Sequence, residues 1–160
     1  MNIKRNLPLI TIALILAGVI TYLFIKKDNK VVYIDTIKLF NDFKYTKELE
    51  HSYEQTLVNS KNRYDSLAAL AKLHPGNMEL NTLLEQEGGR FSVVYEQIKE
   101  TISKKSWERL DPLIKEFGNT QDYELLIGAN GMGTVLYGKE HTDKTQQLID
   151  FVNKKYEQSN

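Results

Sequence analysis

The chain has 160 residues, 21 Lys and Arg against 21 Asp and Glu, and no cysteine. That length suits one ordinary domain or a small domain with one extended element, and the missing thiol excludes disulfides, Cys-ligated zinc, a thiol nucleophile and a lipidated N-terminal cysteine. Lys4, Arg5, Lys26 and Lys27 precede the first acid, Asp28, so the remainder carries 17 bases against 21 acids; it lacks the basic surplus that a sequence-independent grip on nucleic acid requires.

Residues 7–25 are nineteen positions without a charge, bracketed by Lys4-Arg5 and Lys26-Lys27. As a helix they reach about 28 Å, close to the hydrocarbon thickness of a bilayer, and Pro8 stands in the first turn, where it costs little. The exit Thr21-Tyr22-Leu23-Phe24-Ile25 offers no small-x-small cleavage site. Residues 1–27 therefore read as an uncleaved membrane anchor in preference to a secretory signal. Two bases before the span and three close after it leave its orientation open.

Val31-Val32-Tyr33-Ile34-Asp35 reads as a strand, and Asp35 or Thr36 can cap a helix after it. Residues 37–73 contain neither Pro nor Gly. Apolar residues at Leu39/Phe40, Phe43, Leu49, Tyr53, Leu57, Tyr64, Leu67 and Ala71 recur at steps of three, four or seven, which predicts one long amphipathic helix. His74-Pro75-Gly76-Asn77 breaks it. A second stripe follows at Leu80, Leu83/Leu84, Phe91, Tyr95, Ile98, Ile102, Leu110, Leu113/Ile114 and Phe117, before a stop at Gly118-Asn119. Two such arms reach about 50–60 Å. An isolated pair covers one seam per helix, so Tyr53, Tyr64, Phe91, Tyr95 and Trp107 are expected to stay partly in water. Gly88-Gly89, inside the returning arm, admits two readings: a flexible kink, or a local helix break with no role.

The C-terminal part returns to strand chemistry: a strand over 123–127, a glycine-rich turn over 128–133, a strand over 134–137, a turn over 138–142, and a last helix capped by Thr145 with Leu148, Ile149 and Val152 on one side. The expected fold is α+β. A small β-sheet body (31–36 and 119–157) carries a long protruding antiparallel coiled-coil hairpin (37–118, turn at 74–77), and a transmembrane helix precedes both.

Signals for chemistry are sparse. His51, His74 and His141 are scattered and form no metal-ligand spacing. The glycine-rich segment lacks a Gly-Lys-Ser/Thr ending and runs into a predicted strand, where a phosphate loop opens a helix. Carboxylates alternate with lysines, as in Lys47-Glu48 and Lys99-Glu100, and read as solvated helix faces. No catalytic, cofactor-binding or metal-binding residue is indicated, and an enzyme is not expected.

The opening Val31-Val32-Tyr33-Ile34-Asp35-Thr36 with Leu39-Phe40-Asn41-Asp42-Phe43 resembles the start of the OmpH/Skp family of periplasmic chaperones. The block Tyr123-Glu124-Leu125-Leu126-Ile127, the Asn130-Gly131 turn, Val135-Leu136-Tyr137 and Asp143-Lys144-Thr145 is similar to that family's C-terminal signature. The resemblance spans residues 31–157. It implies a homotrimer whose strands form a shared body, with Val32, Ile34, Leu125, Ile127 and Val135 inside it. Three hairpins would hang from that body around a cavity that holds unfolded outer-membrane proteins without ATP. Tyr53, Leu57, Tyr64, Phe91, Tyr95 and Trp107 become the candidate client contacts. The resemblance also implies a periplasmic chain with its N-terminus inside, tethered to the inner membrane. Two features depart from the family: the retained anchor, and a hairpin whose residues 44–117 hold 11 bases and 12 acids, where the family's cavity is basic. The alternative is a membrane-anchored structural or adaptor coiled coil whose tyrosines are buried against a permanent partner, with no client.

Overall fold

The computed structural model describes residues 14–18 and 31–159. Strand β1 (Val31–Asp35) leads into helix α1 (Thr36–Asp42), then α2 (Lys44–Leu73), α3 (Met78–Thr120), strand β2 (Leu125–Ala129), a 3-10 turn over Glu140–Thr142, and α4 (Thr145–Ser159). Helices dominate.

β1 ends where Asp35 accepts the Lys38 N–H at 2.9 Å, satisfying one of the free donors of the α1 N-terminus. The helix expected over 37–73 is in fact two, because Phe43 is extended (φ −72°, ψ 122°). Asn153 of α4 bridges the break. Its side-chain N–H donates to the Asp42 carbonyl at 3.0 Å, and its oxygen accepts the Lys44 N–H at 2.8 Å. Phe43 is thereby turned wholly inward, at 0% exposure.

α2 and α3 run antiparallel. Thr46 meets Ser106, Arg63 meets Glu87 and Tyr64 meets Phe91, so each step outward on α2 matches a step back on α3. α3 runs unbroken through Gly88, Gly89 and Pro112, so there is no helix break at the glycines. It ends at Thr120 with Gln121 as its cap, past the stop expected at Gly118-Asn119, and Asp122 takes the left-handed conformation (φ 54°). Gly118 serves contact instead, since a Cβ there would stand 3.0 Å from Leu126.

The core sits at the root of the helix pair, where α1 and α4 close over its base. Leu39, Phe43, Leu110, Phe117, Leu148 and Val152 are among its buried members. Aromatic edges reinforce it: Phe43 meets Tyr156 at 5.8 Å and Phe117 meets Phe151 at 5.5 Å.

The expected fold class is overturned on two points. The described residues are mostly helical and their sheet has two strands, so among them there is no larger strand-built body. Those strands pair in parallel, Val31 opposite Leu125 through Asp35 opposite Ala129, where a hairpin of strands was expected at the C-terminal end. A parallel pair needs a long crossover, and here the whole helical excursion supplies it. Residues 134–137, Val135 included, form no strand. Asn130 and two glycines hold that segment in turns, the Asn130 side chain accepting the Met132 N–H at 3.0 Å and Gly131 and Gly133 adopting φ of 72° and 93°. The edge of β1 away from β2 is already taken, because Lys144 N–H donates to the Tyr33 carbonyl and Asp35 N–H to the Thr145 hydroxyl. Thr145 thus ties β1 to α4, and the carboxylate of Asp143 accepts its N–H and O–H. No helix among the described residues is long and apolar enough to cross a membrane. The anchor expected over 7–25 lies outside the described residues except for 14–18, an exposed helical stretch.

Asn153→Ala removes both bridges at the α1–α2 break and is expected to cost about 1–3 kcal/mol of unfolding free energy. Urea denaturation followed by circular dichroism checks it.

Candidate functional site: the hairpin faces

Along α2 the inward positions Thr46, Leu49, Tyr53, Leu57, Ser60 and Tyr64 follow one another at steps of three and four. This is the spacing that keeps one stripe of an α-helix against a neighbour. On α3 the matching stripe passes through Leu84, Glu87, Phe91, Val94, Ile98 and Ile102.

This seam captures most of the residues singled out from the sequence. Tyr53 and Leu57 are half-buried in it. Tyr64 stacks on Phe91, with ring centroids 6.3 Å apart and planes at 18°. Phe91 in turn meets Tyr95 at 6.1 Å. Trp107 lies at the root, stacked on Phe40 at 6.0 Å. Of these candidates Tyr95 alone is open, 41% exposed, with the Lys99 ammonium 5.3 Å from its ring. Val32 and Ile34 are buried within their own chain at 2% and 3%. Ile127 and Val135 are half-buried, and Leu125 is exposed.

The open apolar surface of the hairpin belongs mainly to other residues: Val58, Leu70, Leu73, Met78, Leu83 and Val93. Four of them stand in doublets, Leu57-Val58, Leu70-Ala71, Leu83-Leu84 and Val93-Val94. Neighbours in a helix point about 100° apart, so when one member enters the seam the other is carried out of it. The doublets were the available signal for an exposed face. Leu73 and Met78 flank the turn and are 73% and 83% exposed.

A polar band crosses the middle of the seam. Glu87 is buried at 8% and pairs with Arg63 at 2.9 Å and Arg90 at 3.8 Å. Ser60 is buried at 5%, and its hydroxyl has no hydrogen-bond partner. Nearer the root, Thr46 donates to Ser106 at 2.9 Å, both fully buried. At the root itself a cavity of about 390 Å³ opens between α1 and α3, lined chiefly by Ile37, Phe40, Ile102 and Trp107, with Lys99 and Glu50 as its charged groups.

A second apolar surface surrounds β2. Leu125 is 51% exposed, and in the loop after the strand Met132, Leu136 and Tyr137 are 88%, 92% and 83% exposed. No described strand pairs with the outer edge of β2. Among the described residues no group of three His, Asp or Glu side chains is placed to hold a metal ion. What the described residues present here is apolar contact surface. No protein-family model matches the chain, and no curated protein matches it at a significant level.

The adjacent glycines Gly88 and Gly89 of α3 have different roles. A Cβ on Gly88 would meet the Tyr64 ring at 3.3 Å, whereas one on Gly89 meets nothing within 4 Å. Gly89→Ala is expected to raise stability by about 1 kcal/mol. Gly88→Ala is expected to gain less, because the stacked ring must give way. Thermal melts of the two variants against the parent separate these outcomes.

Proposed function

We propose that this chain is an ATP-independent periplasmic holdase that keeps unfolded exported proteins, outer-membrane proteins among them, from aggregating. The observation that carries the reading is the row of open apolar side chains along the hairpin, Val58, Leu70, Leu73, Met78, Leu83, Val93 and Tyr95, each between 41% and 83% exposed. Such contacts are weak singly and demand no unique geometry, which suits a binder of many sequences. Met78, next to the turn, adds an adaptable side chain. The resemblance over residues 31–157 points the same way. With 11 bases and 12 acids between 44 and 117, capture rests on apolar contact and not on a charged cavity.

Enclosure by several copies is part of the proposal. The open edge of β2, with Leu125, Met132, Leu136 and Tyr137 beside it, is the surface proposed for self-association. A trimer, as in the family the sequence resembles, would gather several weak contacts on one client. The competing reading, an adaptor coiled coil without clients, draws on the half-buried state of Tyr53, Leu57, Tyr64, Phe91 and Trp107 in their own seam.

Light scattering of a denatured β-barrel protein diluted with the full-length chain tests the proposal, the chain held in lipid nanodiscs and empty nanodiscs serving as baseline. Suppression is expected at a small molar excess, with little dependence on salt. Replacing Val58, Leu73, Met78 and Val93 by serine is expected to remove most of it. No suppression by the parent chain sinks the holdase reading in favour of the adaptor. Sedimentation tests the assembly: the parent is expected as an oligomer, and Leu136→Ser with Tyr137→Ser as a smaller species.

A further inference from the structure

The hairpin seam is unevenly sealed. At the root Ile98, Ile102, Leu110 and Phe117 are buried, and the neighbouring helices add Leu39, Phe43, Leu148 and Val152. Outward of Ile98 the buried positions on the two arms are Ser60, Ala71 and Glu87. None is a large apolar side chain. Ser60 brings in an unpartnered hydroxyl, and Glu87 a carboxylate held by Arg63, whose own side chain is 65% exposed. Both weaken the closed state relative to an apolar pair, since a buried polar group must recover the hydration it loses. The larger apolar residues of this stretch, Leu57, Tyr64, Leu67, Leu84, Phe91 and Val94, are only half-covered when the arms are closed.

Separation of helices costs in proportion to the apolar area it returns to water, and local opening starts where that area is smallest. We infer that the two arms between about residues 57 and 94 part while the root stays folded, and that the seam so opened is where the client's apolar segments dock. The client in this inference rests on the holdase reading; the parting of the arms rests on the burial pattern alone. Closed, the arms shield Tyr64, Phe91 and their leucine neighbours from one another's copies. Open, they offer the same residues to a guest, which shifts the arms toward the open state by binding it better.

The absence of cysteine makes a direct test simple. Leu67 and Leu84 lie opposite one another in the register set by Arg63 with Glu87 and Tyr64 with Phe91. In the full-length chain, Leu67→Cys and Leu84→Cys are joined by a short cleavable thiol crosslinker, and suppression of β-barrel aggregation is measured before and after cleavage. A partial loss on crosslinking, the open outer faces supplying the remainder, with recovery on cleavage is the expected result. Suppression by the locked form equal to that of the cleaved form overturns the inference, since the outer faces would then suffice. Hydrogen exchange on the parent chain without any client is the second measurement. Amides of 57–94 are expected to exchange on the order of a hundredfold faster than those of 98–117, and equal protection overturns the parting of the arms. Failure of the parent chain to suppress aggregation removes the holdase reading and the docked client with it, while the exchange gradient still decides whether the arms separate.

Discussion

Two helices lying side by side can bury one stripe each, and a hairpin of that kind stays poorly covered wherever nothing else packs against it. Most of this molecule follows from that constraint. At the root, α1 and α4 supply the missing neighbours, and there Phe43, Leu110, Leu148 and Val152 reach 0% exposure. Farther out nothing is added, and the same kind of stripe leaves its leucines and aromatics half-covered. The difference lies in the number of neighbours and not in composition.

The root depends on one polar side chain to bring those neighbours together. Asn153 is positioned by α4 and bonds both ends of the α1–α2 break, so the kink that turns Phe43 inward and the helix that covers it are a single arrangement. Thr145 does similar work at the other end of α4, accepting the Asp35 N–H and donating to Asp143. Short polar links between segments more than a hundred residues apart in sequence locate the helices, and apolar burial then holds them.

The sheet is subordinate to this. Its two strands are parallel because the chain leaves β1 through the hairpin and returns from it, and a pair of strands has little stability of its own. Val32 and Ile34 are buried, Ile34 within the helical core, while β2 has no fully buried residue. The outer edge of β2, with Leu136 and Tyr137 standing open nearby, is thus the least satisfied part of the base. Both the hairpin and this edge carry exposed apolar side chains, and they are the surfaces proposed above for client contact and for self-association.

Periodicity by itself determined a good deal. The three-and-four spacing of Leu57, Tyr64, Leu67 and Ala71 dictates a common helix face, Pro75-Gly76 forbids continuing through the turn, Asp35 offers a cap oxygen, and Leu148, Ile149 and Val152 share one side of the last helix. These are local facts, set by steric geometry within a turn or two of chain. Which member of each apolar doublet faces in was not local, because Leu83 and Leu84 are equally apolar and only the α2 neighbour chooses between them. The break at Phe43 had no local signal either, since its partner Asn153 is over a hundred residues away. A strand at 134–137 was locally plausible, yet the outer edge of β2 stays unpaired among the described residues, because Asn130, Gly131 and Gly133 hold the chain after β2 in turns. Tertiary structure decided what depends on competition for a partner: the pairing of strands, the coverage of the seam, and how much of each apolar stripe stays open to water.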